Sequence, residues 1–196
     1  MDNIGLFDLD GSLADYELSL REHLQLIASP GEGDFDDLWD ESKPWLKARI
    51  KMIKSLPNWW RNLHPISNGM AIYTIAREMG FDCQVLTKGP KGLPTAWKEK
   101  VEWCQEWLHD GVDIHIVSDK KVVYGKFLYD DYPDYMLRWL KHRPRGLGIM
   151  PVTPQNQDFQ HPNVIKWDGN NLDQIMNALN VVMNRQFGEP LTIPVK

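Results

Sequence analysis

Cysteine is scarce in this chain of 196 residues: Cys83 and Cys104 are the only two, and they form no CxxC pair. That excludes a disulfide framework and a cysteine-built zinc site, and it makes a reducing, cytoplasmic setting the default. Histidine offers no metal motif either. His23, His64, His109, His115, His142 and His161 make no HxH or HExxH pair and read as surface or satisfied core residues. Positive charge is in deficit, with 22 Lys and Arg against 27 Asp and Glu and a net charge of -5. This argues against an electrostatic grip on a nucleic acid polymer, while leaving room for a small anion in a locally basic pocket. No apolar run approaches the length of a membrane span, so no membrane partner is expected. Repeats and low-complexity tracts are absent. Residues 4–7 already read as a core strand, so no signal peptide is expected ahead of them.

What the chain does have is tryptophan and alternation. Nine tryptophans supply generous aromatic surface for a core, a pocket or both. The run "IGLF" stops abruptly at Asp8 and turns through Gly11 and Ser12, which predicts a buried strand followed by a turn. Helical spacing over 16–28 aligns Leu18, His23, Leu24 and Ile27, and residues 31–42 are an acidic, glycine-rich loop. Pro44 opens a second helix to about Ser55, with Trp45, Leu46, Ile50 and Ile53 on its apolar side. Ser67 is the expected N-cap of a helix through Met70, Ile72, Ile75 and Met79, closed by Gly80. "FDCQVLT" is a strand ending at Thr87. Residues 95–109 are a helix expected to bury Val101, Cys104 and Leu108. "DIHIVS", "KFLYDDYPD", "LGIMPV" and "NVIKW" supply further strands, with helices over 134–142 and 171–186. The tail "GEPLTIPVK" reads as an extended surface arm. Strands alternating with helices predict an α/β fold, a three-layer sandwich around a mainly parallel sheet. Residues 1–15 and 67–196 form that core, and 16–66, which lacks strands, is a helical insertion after the first strand.

In a parallel α/β sheet, ligands bind outside the carboxyl ends of the strands. Asp8, Asp10, Thr87, Asp130 and Asp131 each sit at or just past such an end. Any one aspartate can be a simple turn or helix cap. All four together would repel, and they persist only if a cation or a proton compensates. Oxygen ligands of this kind suit Mg²⁺.

Here the residues meet a known pattern. "DLDGS" resembles the first motif of the haloacid dehalogenase superfamily, and "DLDGSLADYE" resembles the opening of its 5'(3')-deoxyribonucleotidases along its whole length. "VLTKGP" stands where the second motif belongs, "KVEW" is similar to the third, and "DKKVVYGKFLYDDYPD" to the fourth and its preceding segment. The ordered set covers roughly residues 4–140. The resemblance implies a Rossmann-like core with a small cap at 16–66, and hydrolysis of nucleoside monophosphates through an aspartyl-phosphate.

By that resemblance Asp8 is the nucleophile. Mg²⁺ is held by Asp8, Asp130 and the backbone carbonyl of Asp10, with Asp131 either a direct ligand or an acceptor for metal-bound water. Asp10 is the general acid and base. Thr87 donates to the phosphoryl group, and Lys100 adds charge there and holds Asp8. Lys98 competes with Lys100 but reads as solvated. Gly11 lets the chain turn tightly after the acids and exposes backbone N–H groups to phosphate. Trp59, Trp60 and Tyr16 are candidates to line the base or sugar pocket, whereas Trp103 and Trp107 read as packing. The match departs from the family at Tyr132, where arginine is usual, and at Lys88, where serine is usual, so Lys88 is a candidate phosphate contact. A phosphatase for another small ester and an inactive binding member stay open as alternatives, as does a homodimer.

Overall fold

The computed structural model describes residues 3–32, 34–186 and 188–192. Six strands form one sheet: β1 (Ile4–Phe7), β2 (Asp82–Lys88), β3 (Ile114–Val117), β4 (Phe127–Tyr129), β5 (Leu147–Pro151) and β6 (Val164–Trp167). Their spatial order is β3-β2-β1-β4-β5-β6, and every neighbouring pair is parallel. The helices are α1 (Tyr16–Leu26), α2 (Pro44–Ile53), α3 (Ser67–Glu78), α4 (Pro94–Trp107), α5 (Pro133–His142) and α6 (Leu172–Asn184).

Side chains on a strand alternate between faces, and the core divides accordingly. Leu6, Leu86, Leu128 and Met150 pack with Met136, Trp139 and Leu140 of α5. Phe7, Val85, Tyr129 and Ile149 face the other way, into a larger cluster with α3, α4 and α6. The result is the three-layer α/β sandwich expected from the sequence. Among the described residues no helix is long and apolar enough to cross a membrane.

Several boundaries move for local reasons. Ser67 is the first helical residue of α3 rather than its cap. Ile66 holds the cap position, and no side chain caps the end. At the other end Gly80, with φ 95°, sends its N–H to the Arg77 carbonyl while Phe81 N–H reaches Ala76, a Schellman closure that needs a left-handed residue. On α4 the apolar expectation is corrected: Val101 and Leu108 are half-buried, whereas Glu99, Lys100 and Trp103 are buried beside Cys104. Trp45 is exposed, with the Arg49 guanidinium 4.6 Å from its ring. At the chain end Arg145 donates to the carbonyls of Gln186 and Glu189. The last part of the expected arm, 193–196, lies outside the described residues.

The described residues of 16–66 contribute α1 and α2 and no strand to the sheet. The chain leaves and returns at one place: Asp15 N–H donates to His64 O and Ile66 N–H to Leu13 O, each at 2.7 Å.

Candidate active site

The crossovers from β1 run to β2 and β3 on one side, while β4 pairs against the other edge of β1. The carboxyl ends of β1 and β4 therefore flank the point where strand order reverses, which is where an open α/β sheet forms its crevice. Asp8 follows β1 directly, and its N–H is fixed by the Tyr129 carbonyl at 2.8 Å. Asp130 and Asp131 follow β4. The Asp130 carboxylate accepts from Tyr132 N–H at 2.9 Å. Asp131 is clamped by Ser12, whose hydroxyl accepts the Asp131 N–H at 3.2 Å and donates to its carboxylate at 3.3 Å. Oxygens of Asp8, Asp130 and Asp131 all lie within 4.8 Å of one another.

Gly11 makes this approach possible. Its φ is 78°, and a Cβ there would stand 2.5 Å from Asp131 Oδ2. Its own N–H is donated to the Ala14 carbonyl at 2.9 Å, which closes the turn after the acids.

Two buried lysines divide the acids between them. Lys120, in the 3₁₀ turn Lys120–Val122 after β3, places its ammonium 2.6 Å from both Asp8 and Asp130. Lys100, on α4, bonds Asp10 at 2.5 Å, Thr87 Oγ1 at 3.0 Å and the Lys88 carbonyl at 3.0 Å. The lysine holding Asp8 is thus Lys120, which the motif reading did not single out, and Lys100 holds Asp10 instead. Thr87 is wholly buried beneath Lys100. The signal for Lys120 was its place at the sheet rim, just past the end of a strand.

Burial raises the Asp130 carboxyl to about 6, with Lys120 opposing and Asp8 adding to the shift. Asp131 is raised well above the ordinary carboxylate range by burial and by its two acidic neighbours. Asp10 is also raised, by burial against the pull of Lys100. Burial pulls the Lys120 ammonium down, but Asp130 and Asp8 outweigh it and hold it above its usual value. Three carboxylates against one ammonium remain under-compensated, and the donor set is all oxygen. A hard divalent cation fits these residues.

A cavity of about 1420 Å³ opens over the acids. Its walls come from two stretches of the chain: Tyr16, Trp39, Lys54 and Trp60 from residues 16–66, and Lys88 and Tyr132 from the stretch that follows. Trp39 is 55% exposed, whereas Trp60 shows only 3% and has Tyr16 against it at 5.6 Å. Trp59 does not line this cavity. It is buried between Tyr16, His23 and Trp60, which corrects its expected place in the pocket. Lys88 donates to the Tyr135 hydroxyl at 2.9 Å. Trp39 and Lys54 were missed because a loop and a helix end carry no periodicity that would aim them.

A family model described as 5' nucleotidase, deoxy (pyrimidine), cytosolic type C protein matches residues 2–187. The chain belongs to this family. It is a phosphatase of the haloacid dehalogenase type, 5'-nucleotidase-like. A search of curated proteins gives no match. Among solved structures it is similar to a haloacid dehalogenase-like family hydrolase from Streptococcus pneumoniae, at 12% identity over 84% of this chain and 93% of that one, with a TM-score of 0.52. A haloacid dehalogenase-like hydrolase from Burkholderia xenovorans has 14% identity over 86% and 93%, with a TM-score of 0.49. A haloacid dehalogenase-superfamily hydrolase from Ehrlichia chaffeensis has 13% identity over 94% and 100%, with a TM-score of 0.41. The Streptococcus likeness is one of fold. The membership in the nucleotidase family rests on the family match.

Proposed function

We propose that this nucleotidase-family enzyme hydrolyses (deoxy)nucleoside monophosphates to nucleoside and phosphate, with Mg²⁺, through an aspartyl-phosphate on Asp8. The observation that carries the reading is the meeting of Asp8, Asp130 and Asp131 within 4.8 Å at the strand-order reversal. Asp8, Asp130 and Asp131 would hold the ion. When bound, Mg²⁺ offsets the negative charge of phosphate and carboxylates and so favours attack by an anionic group.

The chain's own residues do the rest. An Asp8 oxygen attacks phosphorus while the bond to the nucleoside oxygen breaks. Asp10 gives its proton to that departing oxygen, then takes one from the water that attacks the phosphoryl group. Phosphate leaves and the Asp8 carboxylate returns. The raised pKa of Asp10 suits a group that must carry a proton. Lys120 orients Asp8, and Lys100 orients Asp10 from its anchor on Thr87. Residues 16–66 act as a cap over the cavity, and the exposed indole of Trp39 offers the nucleobase a stacking face. Lys88 supplies a cation at the cavity wall for the phosphate. Two buried free thiols agree with a cytoplasmic location.

The test is phosphate release from 5' and 3' deoxy- and ribonucleoside monophosphates and from sugar phosphates, with and without Mg²⁺. Asp8→Asn is expected to abolish release with the circular dichroism spectrum intact. Activity surviving in Asp8→Asn, or turnover confined to sugar phosphates, overturns the proposal.

A further inference from the structure

Beside Lys100 on α4 lies Glu99, a buried carboxylate that plays no part in the chemistry above. Its two oxygens are spent on the insertion. Oε1 accepts the Asn58 N–H at 2.9 Å and Oε2 accepts the Trp60 N–H at 3.1 Å, from residues about forty positions earlier in the chain. The turn so held is an unusual one: Asn58 has φ 62°, and it is the only non-glycine residue with positive φ among those described. Such a conformation persists where surrounding bonds enforce it. The same turn lays the Trp60 ring 4.8 Å from the Lys100 ammonium, and the Trp60 indole N–H donates to the Lys54 carbonyl at 3.0 Å. Lys100 in turn holds Asp10.

We propose that Glu99 is a positioning residue that latches the insertion onto the core and, through Trp60 and Lys100, sets the orientation of Asp10. The role of Asp10 is that of the proposed function, on which this inference rests. The logic is a single helix face serving two sides. Glu99 grips the insertion's backbone, and Lys100, the next residue, grips the proton donor. Loosening the turn frees the indole from the ammonium and with it the geometry of the proton transfer.

Glu99→Gln tests this with little change of shape, because one acceptor oxygen becomes an NH₂ that faces a backbone N–H. Two esters separate the roles. Deoxythymidine 5'-monophosphate needs a proton on its leaving oxygen, whereas p-nitrophenyl phosphate releases a stable anion without one. The expected result is a kcat/KM lower by about tenfold for the nucleotide and by less than about twofold for the aryl ester, the scale of one lost charge-assisted bond. Amide hydrogen exchange supplies the second readout. In the wild type the Asn58 and Trp60 amides are expected to be protected although they lie in a turn, and in the variant to exchange at least about tenfold faster. Equal losses on both esters overturn the latch, as do unprotected amides in the wild type. A wild type that hydrolyses neither ester sinks the hydrolase reading, and the exchange experiment then decides the latch alone. It does so too if the variant fails to fold.

Discussion

Lys120 is a buried ammonium paired with two buried carboxylates, Asp8 and Asp130. Removing a buried charge from a paired cluster costs about 3–5 kcal/mol, because its partners stay behind uncompensated. Lys120→Met is therefore expected to lower urea stability by that order, and Mg²⁺ is expected to restore more stability to the variant than it adds to the wild type. An equal Mg²⁺ increment in both proteins would refute the shared-charge account. Gly11→Ala meets both a positive φ and the Asp131 carboxylate, so a loss of about 1–3 kcal/mol is expected, together with weaker Mg²⁺ binding. Wild-type affinity in the variant would show that Asp131 does not need that space. Burial pushes the Cys83 and Cys104 thiols up to about 12, which disfavours the reactive thiolate. Neither is expected to react with a disulfide reagent at pH 8 until the protein unfolds, and rapid labelling of the native state would count against their burial. At this scale Asp8, Asp130 and Asp131 were legible because each ends an apolar run. Lys120 was not, because it sits in an irregular turn where no period marks a side chain as inward. A lysine there looks like any solvated one.

At the level of elements, α4 shows how function bends a pattern. Ala96, Glu99, Lys100, Trp103 and Cys104 recur at spacings of three and four and form its buried face. An apolar reading favours Val101 and Leu108 instead, since burying Glu and Lys without partners is costly. Here each has its partners, Glu99 in the insertion and Lys100 in Asp10 and Thr87, so the polar face wins. Trp103, one turn further along the same helix, adds a second anchor to the same stretch, its indole N–H donating to Leu63 O at 2.7 Å. Trp103→Ala is expected to cost about 3–5 kcal/mol by chemical denaturation, the range for emptying a large buried aromatic site. A loss under about 1 kcal/mol would mean that the insertion does not depend on this anchor. The strands were legible to within a residue or two because their runs are short and apolar, and four of the six are followed directly by an acid or glycine. Helix ends were less so: Ser67 looked like a cap, but the chain enters α3 from the Leu13–Ile66 pairing, which already fixes the entry.

On the scale of the whole molecule, topology does the gathering. Asp8 and Asp131 are far apart in sequence and meet only because β4 returns to the free edge of β1. Alternation of strands and helices made the parallel sheet readable. The insertion's contents were not, since a pocket wall built from a loop tryptophan and a helix-end lysine follows from tertiary packing alone. If the rim is a metal site, ligand linkage must stabilise the whole fold. Binding only the native state adds RT ln(1 + [L]/Kd), about 2.7 kcal/mol at a concentration one hundred times Kd. For a domain of this size that is a rise in Tm of roughly 5–11 °C. Mg²⁺ is expected to produce such a shift in the wild type and EDTA to reverse it. Asp131→Asn is expected to shrink the shift. Asp82→Asn, at the opposite end of β2, is expected to keep it, because that carboxylate lies at the amino end of its strand, away from the rim. A Tm indifferent to Mg²⁺, or a shift that Asp82→Asn abolishes and Asp131→Asn spares, would place the cation elsewhere and remove the physical basis for hydrolysis at this edge of the sheet.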